Sequence, residues 1–447
     1  MGGSAFSSLP EPPFTPRMPT EVYRHVLSAC HAALREIFVY VATPIEGPGK
    51  KDHGDIDILV ALEKRVAFPK TAGDAISRTP HELMAGIKRL LRAEYAIVHP
   101  TGSSANLAIP WPANIDHRFS TTNEVAGLDQ PAGESGEPKA KFIQVDVRIC
   151  PDVDQVCWTL FKHGHGDLWN LLGSTIRPFG LTVDEEALWL RIPEIEKYDR
   201  RKAKVRLTRD PVEILRFLGM EVEGFWSEPF DSVEALFDYA TTCRLFYVRE
   251  TSDGGAEVDV NEVGMLGGEE GQRKLKSNDR RRMKGRPIYR RWINEHIPAL
   301  RAEGKFLLKD PGTSIKEMRA KVKEEAFARF FVESEYNKRV REWQLRKEEE
   351  KMKTLIKELV PKELDNQFRA CLCSAMRRII MEDDASFGIS TSGLKNAEGF
   401  YDVEAVRRFV EETWAEVGKM ARAYQQHRAH EAMMRKKTAA ERSVAEK

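Results

Sequence analysis

A short acidic strand constrains this chain more than any other feature of its sequence. In the stretch 53–60 (HGDIDILV), Asp55 and Asp57 stand two positions apart at the start of an otherwise apolar run. Alternate residues of a strand project to the same face, so the two carboxylates point together while Ile56 and Ile58 point the other way. Like charges side by side destabilise a strand unless a cation lies between them. The pattern therefore predicts a metal site at the start of a buried strand.

A second predicted strand carries a third carboxylate. Residues 142–149 (FIQVDVRI) alternate strictly, with aliphatic side chains on one face and Asp146 on the other, mainly polar face. If this strand lies beside the first, Asp55, Asp57 and Asp146 converge on one site. Three convergent carboxylates suit two divalent cations that bridge the phosphates of a nucleotide and activate an attacking hydroxyl.

These residues resemble the motif of the DNA polymerase beta-type nucleotidyltransferase superfamily. Poly(A) polymerases, CCA-adding enzymes and aminoglycoside nucleotidyltransferases are similar in this way, and the resemblance covers residues 20–149. It implies that Asp55, Asp57 and Asp146 bind Mg²⁺ or Mn²⁺ and that Asp146 acts as the general base towards the acceptor hydroxyl. It also implies a nucleoside triphosphate, such as ATP, as the substrate.

The loop after the first predicted strand departs from the superfamily pattern. The family usually carries Gly-Gly or Gly-Ser there, whereas this chain has Ala-Thr-Pro at positions 42–44. A hydroxyl followed by glycines and a lysine can still form a phosphate cradle. The residues expected to bind the nucleotide are Thr43, Gly47, Gly49, Lys50 and Gly54.

The order of elements around the motif predicts an α+β fold, with a small mixed sheet and helices on one face. The expected elements are a helix that Thr20 caps and that runs to Ile37, a strand at Phe38–Val41, the acidic strand, a helix at His81–Ala93, and strands at Tyr95–Val98, Asn106–Ile109 and 142–149. A mainly helical second lobe and a helical C-terminal region are expected to follow.

Composition shifts divide the chain into four predicted segments. Residues 1–18 are rich in Ser, Gly and Pro and are expected to be a disordered tail. A nucleotidyltransferase catalytic domain follows over 19–150, in which the polar stretch 114–139 reads as a mobile loop. The second lobe spans 151–310. The region 311–447 is charged and helical, with predicted helices over 316–359 and 403–424.

The composition sets broader bounds. A chain of 447 residues should hold two or three domains. Its 70 basic and 69 acidic residues nearly cancel, so a nucleic-acid partner is not required by overall charge. The six cysteines form neither a disulfide framework nor a zinc-binding spacing. We expect a cytoplasmic or nuclear protein without a signal peptide or a membrane segment. The oligomeric state is left open.

Two local motifs have competing interpretations. The stretch 163–167 (HGHGD) has metal-ligand residue types at alternate positions, but a glycine-rich helix break with solvated imidazoles is favoured, since no further ligands are near in sequence. The basic run Lys274–Arg291 with Tyr289 and Trp292 suits RNA, with a base stacked on an aromatic ring. A nuclear import signal or a solvated helix face fits that run equally well.

Two functional hypotheses from different classes result. The first is a metal-dependent nucleotidyltransferase that moves a nucleoside monophosphate to an acceptor hydroxyl, such as an RNA 3′ end, and releases pyrophosphate. A small molecule or a protein is the alternative acceptor. The second hypothesis is a catalytically silent scaffold that keeps the fold and binds RNA or protein, which the altered loop after the first strand favours.

Overall fold

A computed structural model of the chain describes residues 3–70, 78–113, 140–249, 277–308 and 311–445, in two compact units. Unit 1 comprises Met1–Arg191 and Lys204–Val332, and unit 2 comprises Ile192–Ala203 and Glu333–Lys447. The segments predicted as a catalytic domain and a second lobe therefore form one compact unit. The predicted boundary after residue 310 is wrong, because the helix that follows it belongs to unit 1, where Arg319 donates to the Pro178 carbonyl at 2.7 Å.

The strands form one main sheet and three small ones. Their bounds are β1 Met18–Pro19, β2 Phe38–Ala42, β3 Asp52–His53, β4 Asp55–Glu63, β5 Tyr95–Val98, β6 Ser104–Pro110, β7 Phe142–Ile149, β8 Leu181–Val183, β9 Leu188–Arg191, β10 Lys204–Thr208, β11 Val248–Arg249 and β12 Leu307–Leu308. The main sheet has the order β2-β4-β7-β6-β5, in which β4 and β7 are parallel and the other neighbours antiparallel. The predicted strands of this sheet are all present, most of them extended by one to three residues.

The described helices are α1 Thr20–Ile37, α2 Lys64–Ala67, α3 Pro80–Leu90, α4 Val153–His163, α5 Leu168–Ile176, α6 Pro193–Glu196, α7 Pro211–Phe217, α8 Glu223–Trp226, α9 Val233–Thr241, α10 Ser277–Gly285, α11 Pro287–Arg291, α12 Ile297–Ala302, α13 Pro311–Phe330, α14 Glu333–Leu359, α15 Asn366–Glu382 and α16 Val403–Ala445. The α+β class is thus confirmed. Thr20 does not cap α1 but opens it, and its hydroxyl lies 3.4 Å from His53 Nε2. Among the described helices, none is both long and apolar enough to cross a bilayer.

The main sheet has two different faces. One face carries the buried aliphatic side chains of β4, β6 and β7, which pack on the apolar sides of α1 and α3. Ile56, Ile58, Val145 and Val147 on this face are almost fully buried. The opposite face carries the predicted carboxylates, and α4 packs on it through Val156 against the β4 residue Leu59. The predicted helices α1 and α3 therefore share one face, and α4 lies on the other.

The N-terminal arm, residues 3–19, is folded onto the sheet. Phe6 is 1% exposed and packs with Ala108 and Phe142 on the face that carries the carboxylates. Phe142 N–H donates to the Phe14 carbonyl at 2.9 Å, and β1 pairs with β3. The prediction of a disordered tail is wrong for residues 3–18. The Pro and Ser content of this segment indicates disorder, but the buried side chains of Phe6 and Met18 anchor it to the sheet.

Unit 2 is built mainly from α14, α15 and α16, whose apolar sides form one core. The predicted helix over 316–359 is two helices, since Phe331 takes a left-handed backbone conformation (φ 55°) that ends α13 before α14 begins. The helix predicted over 403–424 continues to Ala445 in α16. The predicted mobile loop 114–139 lies outside the described residues.

The packing of the N-terminal arm can be tested by stability measurements. We expect Phe6→Ala to lower the free energy of unfolding by about 3 kcal/mol, since it empties a buried aromatic site. Phe68 in the same unit is 67% exposed, and Phe68→Ala should change stability by no more than about 0.5 kcal/mol. Urea unfolding of both variants measures this difference. Equal losses would contradict the buried position of Phe6.

Candidate active site

The register of β4 and β7 brings the three predicted carboxylates together. Asp57 is paired with Asp146 and Asp55 with Gln144 in the parallel ladder. Paired residues on adjacent strands are about 5 Å apart and point to the same face. Asp55, Asp57 and Asp146 therefore occupy neighbouring positions on the sheet face opposite the main core, as their spacing in the sequence predicted.

Two amides hold Asp146, a buried one at Gln144 and a half-buried one at Asn106. Gln144 Nε2 donates to Asp146 Oδ1 at 2.9 Å, and the Asn106 side chain also hydrogen-bonds this carboxylate from the adjacent strand β6. Burial raises the pKa of Asp146, and these two hydrogen bonds oppose that rise because they stabilise the charged form. Neither amide was singled out from the sequence. Gln144 shares the face of Asp146 by alternation, whereas the placement of Asn106 depends on a strand register that the sequence does not show.

Asp57 has a different environment. The surrounding protein atoms partly desolvate its carboxylate, and this desolvation, followed by the charges of Asp55 and Asp146, raises its pKa to about 6. Its side chain remains accessible to solvent, and it makes no hydrogen bond with any residue that the structure describes. Repulsion between carboxylates that lie side by side is the condition that a bound cation relieves.

Two of the three carboxylates line a cavity of about 450 Å³. Asp57 and Asp146 form part of its floor, and the hairpin of β5 and β6 contributes His99 and Ser104. Arg148, the next residue after Asp146 on the same face of β7, and His163 at the end of α4 bring positive or protonatable groups to the same cavity. His163 Nε2 lies 3.5 Å from Glu185 Oε2. The cavity therefore combines carboxylates with cationic side chains.

The donor set fits a divalent cation in its chemistry, because carboxylate oxygens are the ligands that Mg²⁺ and Mn²⁺ prefer. Within the described residues, no three or more His, Cys, Asp or Glu side chains are grouped closely enough to hold an ion. Asp146 is turned towards its amide partners instead. Asp55, Asp57 and Asp146 would hold the metal, and binding requires Asp55 and Asp57 to turn towards Asp146, which its amide partners keep in place.

The predicted phosphate cradle is occupied by contacts within the protein. The Thr43 hydroxyl is hydrogen-bonded to His31 Nε2 at 2.8 Å, and Lys50 pairs with Glu46. The backbone of Gly47 packs on Gly166, where a Cβ atom on Gly166 would lie 3.2 Å from the Gly47 Cα. Gly49 adopts a left-handed conformation beside Val233, and Gly54 lies under the N-terminal arm. Of these five predicted residues, all of them described, none lines the carboxylate cavity.

The HGHGD stretch is a packing element. His165 is fully buried, and its Nε2 donates to the Phe225 carbonyl at 2.7 Å. Burial lowers the pKa of its imidazole. Asp167 pairs with Arg286. The prediction of a glycine-rich helix break is confirmed, since α4 ends at His163, but the expectation of two solvated imidazoles is wrong for His165. Its neighbour Gly166 lets Gly47, in the loop after β2, approach closely, which explains why glycine stands at positions 47 and 166.

Part of the basic run is neutralised within the protein. Arg286 pairs with Asp167, and Arg291 pairs with Glu234 and Glu295. The aromatic residues Tyr289 and Trp292, predicted as a stacking platform for a base, are fully buried, so that interpretation is wrong. Exposed positions in this stretch include Arg280, Arg281, Lys284 and Arg290. Lys274 and Lys276 lie outside the described residues.

Comparison with known protein families and curated proteins identified no relative of this chain. No model of a known protein family matches the chain, and no curated protein matches it significantly.

The raised pKa of Asp57 predicts how stability depends on pH. Between about pH 4 and pH 6 the folded protein holds a proton at Asp57 that the unfolded chain releases, so ionisation of Asp57 costs stability as pH rises through this window. Asp57→Asn removes that cost. We expect the variant to exceed the wild type at about pH 7.5 by roughly 1 kcal/mol, allowing for solvent screening, and to show no gain at about pH 4. Urea unfolding in EDTA measures both differences, and a gain independent of pH would contradict the assignment.

Proposed function

We propose that this protein is a metal-dependent nucleotidyltransferase, which moves a nucleoside monophosphate from a nucleoside triphosphate to an acceptor hydroxyl and releases pyrophosphate. The observation that carries the proposal is the pairing of Asp57 with Asp146 on adjacent parallel strands, with Asp55 on the same face. A cavity over these residues is open to solvent and large enough for part of a nucleotide. The resemblance to the polymerase beta-type motif supports the same reaction.

Each residue of the site has a role in this proposal. Asp55, Asp57 and Asp146 would hold Mg²⁺ or Mn²⁺, which supplies positive charge at the phosphates when it is bound. Asp146, held by Gln144 and Asn106, would accept the proton of the acceptor hydroxyl. Because catalysis of phosphoryl transfer rests largely on positioning, the two amides matter as supports for this carboxylate.

The phosphates of the substrate are assigned to Arg148 rather than to the loop after β2. Arg148 lines the cavity next to Asp146 and, among the described residues, forms no ion pair or hydrogen bond, although its charge helps to lower the pKa of Glu185. Lys50 is already paired with Glu46 outside that cavity. An unpaired guanidinium presents several donors to phosphate oxygens, whereas a lysine held by a carboxylate must first give up its partner.

The acceptor is proposed to be a nucleic-acid 3′ hydroxyl, with the exposed cations of α10 as a surface for its backbone. Arg280, Arg281 and Lys284 are exposed or partly exposed on this helix, in the same unit as the carboxylates. Because Tyr289 and Trp292 are buried in the core, this surface would contact the nucleic acid through charge alone. Such a contact binds phosphates and does not distinguish bases. A small molecule or a protein hydroxyl is the second acceptor class, and the assay below includes both.

The first test is a transfer assay. Purified protein with Mg²⁺ or Mn²⁺ receives each α-labelled nucleoside triphosphate, with total RNA, a small-molecule extract or extracted proteins as acceptors. We expect label on RNA, and we expect Asp57→Asn and Asp146→Asn to reduce it by at least about a hundredfold, because each removes a charge at the reacting phosphate.

The control is Asp154→Asn, an exposed carboxylate in the first turn of α4. This variant should transfer label as the wild type does. Label on another acceptor would keep the reaction and reject RNA. Absence of transfer and of pyrophosphate release with every acceptor would reject the proposed reaction and favour a scaffold. Activity that survives Asp57→Asn would reject the site.

The assignment of the phosphate contact has its own test. We expect Arg148→Gln to raise KM for the nucleoside triphosphate about tenfold, since a hydrogen bond to a charged group is lost. Lys50→Gln is the matched control, because that lysine is paired with Glu46. Steady-state kinetics of the two variants decide between the two phosphate sites, and a larger KM effect for Lys50→Gln would restore the loop after β2 as the cradle.

A further inference from the structure

We infer that the N-terminal arm is a positioning element for Asp146 and acts through two hydrogen bonds that meet at the side chain of Gln144. The inference rests on the proposed function for the role of Asp146 as a reacting carboxylate. The backbone N–H of Ala5 donates to Gln144 Oε1 at 3.1 Å, and Gln144 Nε2 donates to Asp146 Oδ1 at 2.9 Å. A segment 139 positions away in the chain thus reaches the site through one amide.

The chemistry of the amide makes this chain of bonds directional. A glutamine side chain has an acceptor oxygen and a donor nitrogen, and the two ends differ little in shape. Gln144 is 3% exposed, so water does not compete freely for either end. The Ala5 N–H selects the oxygen, because it can only donate, and the nitrogen must then face Asp146. Without that N–H, the amide can turn and present its oxygen to a carboxylate, which repels it.

The arm is anchored on both sides of Ala5. Phe6 is buried against Ala108 and Phe142. Gly3 lies against Gly54 so closely that a Cβ atom on Gly3 would be 2.6 Å from the Gly54 carbonyl oxygen, and the Thr15 hydroxyl donates to the Gly3 carbonyl at 2.9 Å. Gly54 immediately precedes Asp55 on β4. The arm therefore touches β7 and the residue that immediately precedes β4.

A packing role alone would require only Phe6, so the inference depends on the N–H of residue 5. Ala5 opens the short 3₁₀ helix Ala5–Ser8, and the first position of a helix accepts proline because the backbone there suits its ring. Ala5→Pro removes the donor and keeps the Phe6 side chain, although a proline at position 5 disfavours the backbone conformation of Ser4 (φ −112°, ψ 8°). Ala5→Val is the matched control, since it adds bulk and keeps the N–H.

The first readout does not depend on activity. With the full chain labelled with ¹⁵N-glutamine, the side-chain amide signal of Gln144 is assigned by its loss in Gln144→Met. We expect this signal to be protected from solvent exchange in the wild type and in Ala5→Val, and to exchange at least about tenfold faster in Ala5→Pro. Unchanged exchange in Ala5→Pro would overturn the inference.

The second readout is kinetic. We expect Ala5→Pro and Gln144→Met each to lower kcat about tenfold, with KM for the nucleoside triphosphate changed by less than about twofold, as for a residue that supports a reacting group. The double variant should lose no more than Gln144→Met alone, because both changes break one path. Additive losses, or a kcat unchanged by Ala5→Pro in an active enzyme, would overturn the inference.

The outcomes separate the inference from the proposed function. A wild type without transfer activity rejects the proposed function, and the exchange of the Gln144 amide still decides whether the arm orients this side chain. If Ala5→Pro does not fold, a full chain with lactic acid in place of Ala5, which replaces the backbone N–H by an ester oxygen and keeps the methyl side chain, removes the same donor, and the same two readouts apply to it.

Discussion

The parallel pairing of β4 with β7 is the constraint on which the rest of the structure depends. One register determines both faces of the sheet: it stacks Ile56 and Ile58 beside Val145 and Val147 in the core, and it puts Asp57 beside Asp146 on the other face. Burial of each aliphatic side chain contributes about 2 kcal/mol. A slip by one residue would expose the aliphatic set and bury the carboxylates, so the apolar face holds the acidic face in register.

That pairing also explains why the chain needs the segments around it. Parallel neighbours require a long crossover, and here the connection from β4 to β7 includes α3 and the β5–β6 hairpin. The hairpin then becomes a wall of the cavity and supplies Asn106 to Asp146. Among the residues that the structure describes, α4 covers one end of the acidic face and the N-terminal arm covers the other. The site lies in the gap between them.

Local patterns in the sequence predicted the strands, their faces and the three carboxylates, because alternation is a property of consecutive residues. They did not predict contacts between distant residues. The glycines at 47 and 166 look like a phosphate loop and a helix break when each is considered alone, yet they pack on each other. Phe6 lies in a segment whose composition suggests disorder, and contacts with distant residues such as Phe142 show that the segment is ordered.

The availability of charged side chains also depends on contacts between distant residues. Arg286 and Lys50 appear available in the sequence, but Asp167 and Glu46 neutralise them. In the sequence Arg148 is one residue of an alternating strand, whereas in the fold it is a cation that lies beside the carboxylates. The sequence gives the number of charged side chains, whereas ligand binding depends on which of these side chains lack a partner in the folded protein. For a polyanionic substrate, the unpaired arginine within the cavity carries more weight than the longer basic run.

The two facing carboxylates are not equivalent, and the difference gives the site a direction. Burial raises the pKa of both, but Asp146 is held by two amide donors that favour its charged form, whereas neighbouring negative charges add to the rise at Asp57, whose pKa reaches about 6. Pairs of titratable groups with such different surroundings commonly divide their tasks. Asp57 is the group that responds when positive charge enters, because it has the most repulsion to lose. Asp146 keeps its orientation, because Gln144 is itself held from outside the site. The acidic face thus combines one carboxylate that adapts with one that is held in place, as a reaction that depends on positioning requires.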